Sequence, residues 1–81
     1  MKEIIASLKS QLKEIVSKID QLEQEIGWSW ELIAKSKNQV ERESIAGNLD
    51  AMYSRTSKLN QKRRAIRAAI ESLEYASNIA D

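Results

Sequence analysis

The feature that most constrains this chain is a seven-residue repeat of aliphatic side chains in its first half. A second apolar set follows the first at a distance of three residues, and the alternation of three and four is unbroken up to Ile26. This spacing is typical of a coiled-coil seam that packs against another helix. The repeat consists of Ile5, Leu12, Ile19, Ile26, Ile33 and Val40, together with Leu8, Ile15 and Leu22.

Composition extends the helical prediction to the whole chain. The 81 residues contain no Pro, no Phe and only two Gly, and they are rich in residues that favour helices. A second apolar stripe runs through residues 49–80. The sequence therefore predicts a single all-α domain over residues 1–81. The second stripe consists of Leu49, Met52, Thr56, Leu59, Arg63, Ile66, Ile70, Leu73, Ser77 and Ala80.

Two glycines are the candidate breaks. The seven-residue spacing continues across Gly27, which predicts a continuous or kinked helix there. At Gly47 the spacing shifts, and Gly47-Asn48 combines a residue suited to a helix C-terminus with a good N-cap. We therefore predict a long antiparallel, coiled-coil-like hairpin with helices at about 2–45 and 49–79 and a turn at about 46–48. A three-helix bundle broken at both Gly27 and Gly47 is the alternative.

Folding the chain back at Gly47 makes the first helix overshoot the second by roughly ten residues. Apolar side chains at the start of the chain, Ile4, Ile5 and Leu8, are then left without a partner in the same chain. Two helices also leave much apolar surface open. We therefore expect a homo-oligomer, namely a dimer, or a helical protein partner.

The Trp pair marks a second candidate for partner binding. Two residues that are two apart on a helix point about 200° apart, so Trp28 and Trp30 cannot both face one seam. If the segment is helical, Trp30 flanks the stripe and Trp28 stands on the outer face, where an exposed Trp is typical of a protein interface. The alternative is a local break at Gly27, with both Trp side chains covering the loop. The main function prediction is a non-enzymatic helical interaction module that uses the seam and the Trp28 region.

A basic stretch supports the alternative of nucleic-acid or anionic-surface binding. Six positive charges lie between residues 55 and 67 without an intervening acid, although a helix distributes them around its circumference. After a fold at Gly47 the arginines of this stretch approach the Trp pair, so cation–π contacts are also expected. The six are Arg55, Lys58, Lys62, Arg63, Arg64 and Arg67.

Catalysis, metals and cofactors find little support in the sequence. The absence of Cys excludes disulfides and thiolate metal sites, and the absence of His removes the commonest general base and the commonest transition-metal ligand. We predict no catalytic residues, no metal and no cofactor; a small all-helical enzyme is the third alternative. Without an apolar run long enough to cross a bilayer and without a signal-peptide pattern, the default expectation is a soluble, cytoplasmic protein, with leaderless export as the other route.

Overall fold

The computed structural model describes residues 2–80, and the side chains of residues 2–79. Two helices, α1 (Lys2–Lys35) and α2 (Gln39–Ala80), form an antiparallel hairpin. The hairpin measures 64 × 14 × 14 Å, and its length matches the roughly 63 Å expected of a 42-residue helix. The predicted all-α hairpin is confirmed, while the predicted contribution of Ala80 to the seam lies outside the described side chains.

The position of the turn differs from the prediction. The chain reverses at residues 36–38, and the predicted turn at 46–48 lies inside α2. Gly47 has no positive φ, so it does not use the left-handed conformation that the turn prediction required. A glycine inside a helix costs only about 1 kcal/mol relative to alanine, and packing along the two helices compensates for it.

Side chains of the turn itself explain why the chain reverses there. The carboxamide oxygen of Asn38 accepts a hydrogen bond from the backbone N–H of Val40 at 2.9 Å, which makes Asn38 the N-cap of α2. Glu41 stands three residues later, in the spacing of a capping box, and its carboxylate accepts a bond from the Ser36 hydroxyl at 3.2 Å. The Nε–H of Arg42 donates to the Ser36 carbonyl at 2.7 Å, which fastens α2 to the end of α1.

α1 continues without a break through Gly27. The prediction of a continuous or kinked helix at this point is therefore confirmed as helix, and the three-helix alternative is wrong. The backbone N–H of Ser36 donates to the Leu32 carbonyl at 2.9 Å, which closes the last turn of α1. Ile33 is consequently the last member of the stripe within α1. Val40, the predicted last member of the stripe, lies in the first turn of α2 and is 74% exposed.

Two contacts between the helices establish their register. Lys9 meets Glu74 at 2.8 Å and Trp30 meets Tyr53 at 2.9 Å, so the numbers of facing residues add to about 83 in both cases. The predicted pairing, with Leu22 opposite Ile70, is wrong by about ten residues. This shift is close to one seven-residue repeat plus the three-residue step between its apolar positions, so the shifted stripes still match.

The corrected register moves the overhang to the other end of the molecule. The start of α1 lies beside the end of α2, where Ile5 lines a groove with Ser77 and Asn78. The predicted overshoot of Ile4, Ile5 and Leu8 is therefore wrong. α2 is instead the longer helix, by 42 residues to 34, and its first two turns extend beyond the end of α1.

The core is a single seam between the helices. Four apolar side chains in it are buried, and most of the remaining seam residues are half-buried. Two polar seam residues bond within their own helix: the Ser29 hydroxyl donates to the Glu25 carbonyl and the Thr56 hydroxyl to the Met52 carbonyl, each at 2.9 Å. The buried apolar residues are Ile19, Ile26, Leu49 and Ile70.

Candidate interaction surfaces

The seam divides the surface of the hairpin into two long flanks. Residues that follow the first apolar position of each repeat by four lie on one side, and those that precede either apolar position by one lie on the other. We call the first side, which carries Lys9 and Trp30 of α1 with Tyr53 and Glu74 of α2, the bridged flank. We call the second side the open flank. It carries Ile4, Glu25, Trp28 and Leu32 of α1 with Ala51, Arg55, Lys58 and Lys62 of α2.

Two polar contacts between the helices cross the bridged flank. The indole N–H of Trp30 donates to the Tyr53 hydroxyl near the turn. Near the chain termini, Lys9 and Glu74 form an exposed ion pair. Both contacts use side chains that are partly in water, so each contributes modestly to stability. Their effect is to fasten the two helices to each other along this side of the molecule.

A shallow apolar groove occupies the turn end of the bridged flank. It has a volume of about 330 Å³, and Ile33 and Leu49 of the seam reach its floor. Trp30 and Tyr53 stand along it, already joined by their hydrogen bond. Trp30 was predicted to flank the stripe, and it lies there with about half of its surface exposed. Tyr53 was not predicted, because its role depends on the register.

The open flank has a groove of its own at mid-length, with a volume of about 400 Å³. Leu22 and Leu59 of the seam form its apolar floor, since both are only half-buried. Its walls carry charges of both signs, with Glu25 on α1 facing Arg55 and Lys58 on α2. Within residues 2–80 no ion pair joins these charged side chains, whereas Lys9 and Glu74 are paired on the bridged flank.

Trp28 and Leu32 continue the open flank towards the turn. They are one helical turn apart, three and seven residues after Glu25, so they lie on the same side of α1. Trp28 is 62% exposed and Leu32 is 55% exposed. No hydrogen bond joins the Trp28 indole to another described residue. The predicted outward position of Trp28 is confirmed; Leu32 was missed, although its spacing of four from Trp28 marks the same face.

The other predicted partner-binding residues lie at the opposite end of α1. Ile4 is 56% exposed and belongs to the open flank by its spacing. Ile5 and Leu8 are half-buried in the seam. Of this group, Ile4 alone therefore presents most of its side chain for a partner.

The basic stretch does not form one face. Arg55 and Lys58 line the groove of the open flank, whereas Arg63 lines a different groove on the bridged side with Asp20 and Glu23. Helical spacing places Lys62 with the first group and Arg64 and Arg67 with the second. The predicted approach of the arginines to the Trp pair is also wrong for Arg63, because Trp30 lies beside Tyr53, ten residues earlier in α2.

Arg63 is the charged member of the α2 stripe, where it stands between Leu59 and Ile66. Its side chain is half-buried, and its Nε is enclosed without a hydrogen-bond partner among the described residues. Asp20 and Glu23 line the same groove and bring two carboxylates to this charge.

Within residues 2–80, no helix combines the length and the apolar character that a bilayer crossing requires. No cluster of three side chains suited to holding a metal ion occurs among the same residues. Comparison of the chain with protein-family models, with curated proteins and with solved structures finds no match.

Proposed function

We propose that this protein is a helical interaction module that binds another helix along its open flank. The observation that carries this proposal is the exposed pair Trp28 and Leu32, which stands beside a groove floored by Leu22 and Leu59. An exposed aromatic side chain next to an apolar groove is typical of the residues that dominate binding energy in protein interfaces. The activity proposed is binding, without catalysis.

The surface area of the hairpin supports the same proposal. The chain exposes 6345 Å², whereas a compact protein of 9.2 kDa exposes about 4900 Å². The excess arises because two helices share a single seam and leave both sides of it in contact with water. A helix laid along the open flank would cover Leu22 and Leu59 and add a second seam to the first.

A photoreactive side chain at position 28 tests the proposal. We expect benzophenone-alanine in place of Trp28 to cross-link to a polypeptide, either a second copy or another protein, in extracts of the cells that make the chain. The same group in place of Ser17, which is exposed on the outer face of α1, serves as the control. Capture counts as support only if Leu32→Asp abolishes it; equal capture from both positions contradicts the proposal.

Binding of nucleic acid or an anionic surface remains the alternative proposal. Arg55 and Lys58 support it because neither is paired with an acid among the described residues, although both face Glu25 across the groove. Affinity for a short duplex that falls steeply with salt would favour this alternative. A salt-independent interaction that depends on Leu32 favours the helix-binding proposal. A small all-helical enzyme remains a further prediction.

A further inference from the structure

We propose that the helix bound by the open flank belongs to a second copy of this chain. The two hairpins lie with their open flanks together and their turns at the same end, so that α1 of each copy packs on α2 of the other. The product is a closed four-helix bundle in which every neighbouring pair of helices is antiparallel. This inference rests on the proposed function, since it uses the same flank.

The exposed area is sufficient for such a dimer. Two separate copies expose twice 6345 Å², whereas a compact dimer of twice the mass exposes about 8200 Å². Covering only a third of the difference buries roughly 1500 Å², which is the size of a standard stable interface. Leu22 and Leu59, half-exposed at the floor of the groove, become the core of the new contact.

The order of residues along the flank is self-complementary. A two-fold axis parallel to the hairpin aligns the two copies along their length. Each α1 residue then faces an α2 residue of the other copy, and the two residue numbers add to about 83, as they do within one hairpin. Apolar residues then meet at both ends, one pair of opposite charges meets between them, and no two like charges face each other. The facing pairs are Ile4 with Ile79, Glu14 with Ala69, Lys18 with Ala65, Glu25 with Lys58, Trp28 with Arg55, and Leu32 with Ala51.

The sizes of the facing side chains fit as well as their charges. Leu32 faces the small Ala51, which is exposed and leaves room for the larger side chain. Trp28 faces Arg55, whose guanidinium can lie on the indole face in a cation–π contact. Glu25 and Lys58, which form no ion pair in the single chain, gain a partner of opposite charge from the other copy.

The reverse arrangement, with turns at opposite ends, lacks this fit. It would place α1 on α1 and α2 on α2 of the other copy. Lys58 and Lys62 lie near the middle of α2, so those of the two copies would face each other. Ile4 would extend past the end of the partner's α1 and lose its apolar contact. The pattern of charges and sizes therefore selects the arrangement with both turns at one end.

Charge exchange at one facing pair tests the dimer and its orientation together. We expect the pure full-length chain to have about twice its 9.2 kDa mass by light scattering at tens of micromolar. Glu25→Lys alone and Lys58→Glu alone should each give a monomer, because like charges then face each other twice. An equimolar mixture of the two variants should recover the double mass, because both facing pairs become opposite in charge. Only contacts between two different chains can produce this recovery of the double mass.

Matched controls and a second readout keep the result interpretable. Glu71→Lys makes the same charge change at an exposed position away from the open flank, and it should leave the mass doubled. Circular dichroism should show unchanged helix in every variant. Since the chain has no Cys, Leu32→Cys mixed with Ala51→Cys should form a disulfide between the two variants in preference to either self-pair.

Two outcomes overturn the inference, and each is distinct from failure of the proposed function. A wild-type mass of 9.2 kDa at all concentrations excludes the homodimer; if position 28 still captures another protein in extracts, the interaction module stands and its partner is different. A doubled mass with no preferred disulfide between Leu32→Cys and Ala51→Cys, and with no recovery in the mixture, indicates a dimer of the reverse orientation. No association and no capture remove both proposals.

Discussion

The two flanks of the hairpin differ in whether their side chains join the two helices. On the bridged flank, Trp30 bonds to Tyr53 and Lys9 pairs with Glu74, so polar groups of the two helices join each other. On the open flank an equally large aromatic side chain, Trp28, has no such contact among the described residues. Both flanks border the same seam, and their different side chains therefore indicate different roles.

This contrast separates stability from recognition. A contact within the chain stabilises the folded hairpin, whereas an apolar side chain left in water adds nothing until a partner covers it. Substitutions in the seam and on the bridged flank should therefore change the unfolding free energy. Substitutions on the open flank should change association and leave the isolated hairpin nearly unaffected.

The largest expected effect is at the seam beneath the bridged flank. Leu49 is 3% exposed, so Leu49→Ala should lower the unfolding free energy by about 2–4 kcal/mol through lost burial and the cavity left behind. Leu32→Ala makes the same chemical change on the open flank, where the side chain is 55% exposed. It should alter stability by less than about 0.5 kcal/mol. Urea unfolding of dilute protein measures both values.

The same two variants should behave in the opposite way in association. Leu32→Ala should weaken the proposed dimer in light scattering, because it removes the side chain that we propose to contact Ala51 of the other copy. A variant of Leu32 that destabilises the monomer as strongly as Leu49→Ala would mean that the open flank is part of the chain's own core. The comparison between the flanks would then be wrong.

The sequence was sufficient to predict the helices and the seam, because both follow from local spacing. Ile5 to Ile33 and Leu49 to Ser77 lie in the seam as the repeat required. The register was not predictable from the stripes, because a shift of ten residues again places apolar positions opposite each other. The contacts of Lys9 with Glu74 and of Trp30 with Tyr53 distinguish the two registers, and both depend on three-dimensional packing.

The sequence contains a signal for the observed turn, but the Gly47-Asn48 pair favoured a different position. Asn38 followed three residues later by Glu41 is the spacing of a capping box. The Asn38 side chain accepts from the Val40 N–H, and Glu41 accepts from the Ser36 hydroxyl, which in turn accepts from the Asn38 backbone N–H. Gly47 and Asn48 resemble a helix boundary only when they are considered without these residues. The division of the basic stretch also depended on register, since the groove partners of Arg55 and Arg63 lie on opposite flanks.

A smaller effect of opposite sign is expected at Gly47, which lies on neither flank. It is two residues before Leu49 and therefore points away from the seam; a Cβ added there meets nothing within 4 Å. Gly47→Ala should raise the unfolding free energy by about 1 kcal/mol through helix propensity, and it should leave association unchanged. Gly27→Ala, equally free of neighbours, is the matched change in α1. If Gly47→Ala instead lowered the unfolding free energy, residues 46–48 would form a turn and not part of α2.

The smallest effect is expected for the hydrogen bond that crosses the bridged flank. Tyr53→Phe removes the acceptor of the Trp30 indole N–H while keeping the ring. Because both side chains are partly in water, the unfolding free energy should fall by only about 0.5–1 kcal/mol, with an unchanged urea m-value.

Tyr75→Phe is the matched control for this change, since Tyr75 is 69% exposed and forms no hydrogen bond with another described side chain. Its urea midpoint should equal that of the wild type, and both variants should keep the same mass in light scattering. If Tyr53→Phe lowers the mass and leaves the urea midpoint unchanged, the bridged flank is the recognition surface, because the polar contact then contributes to association and not to the hairpin.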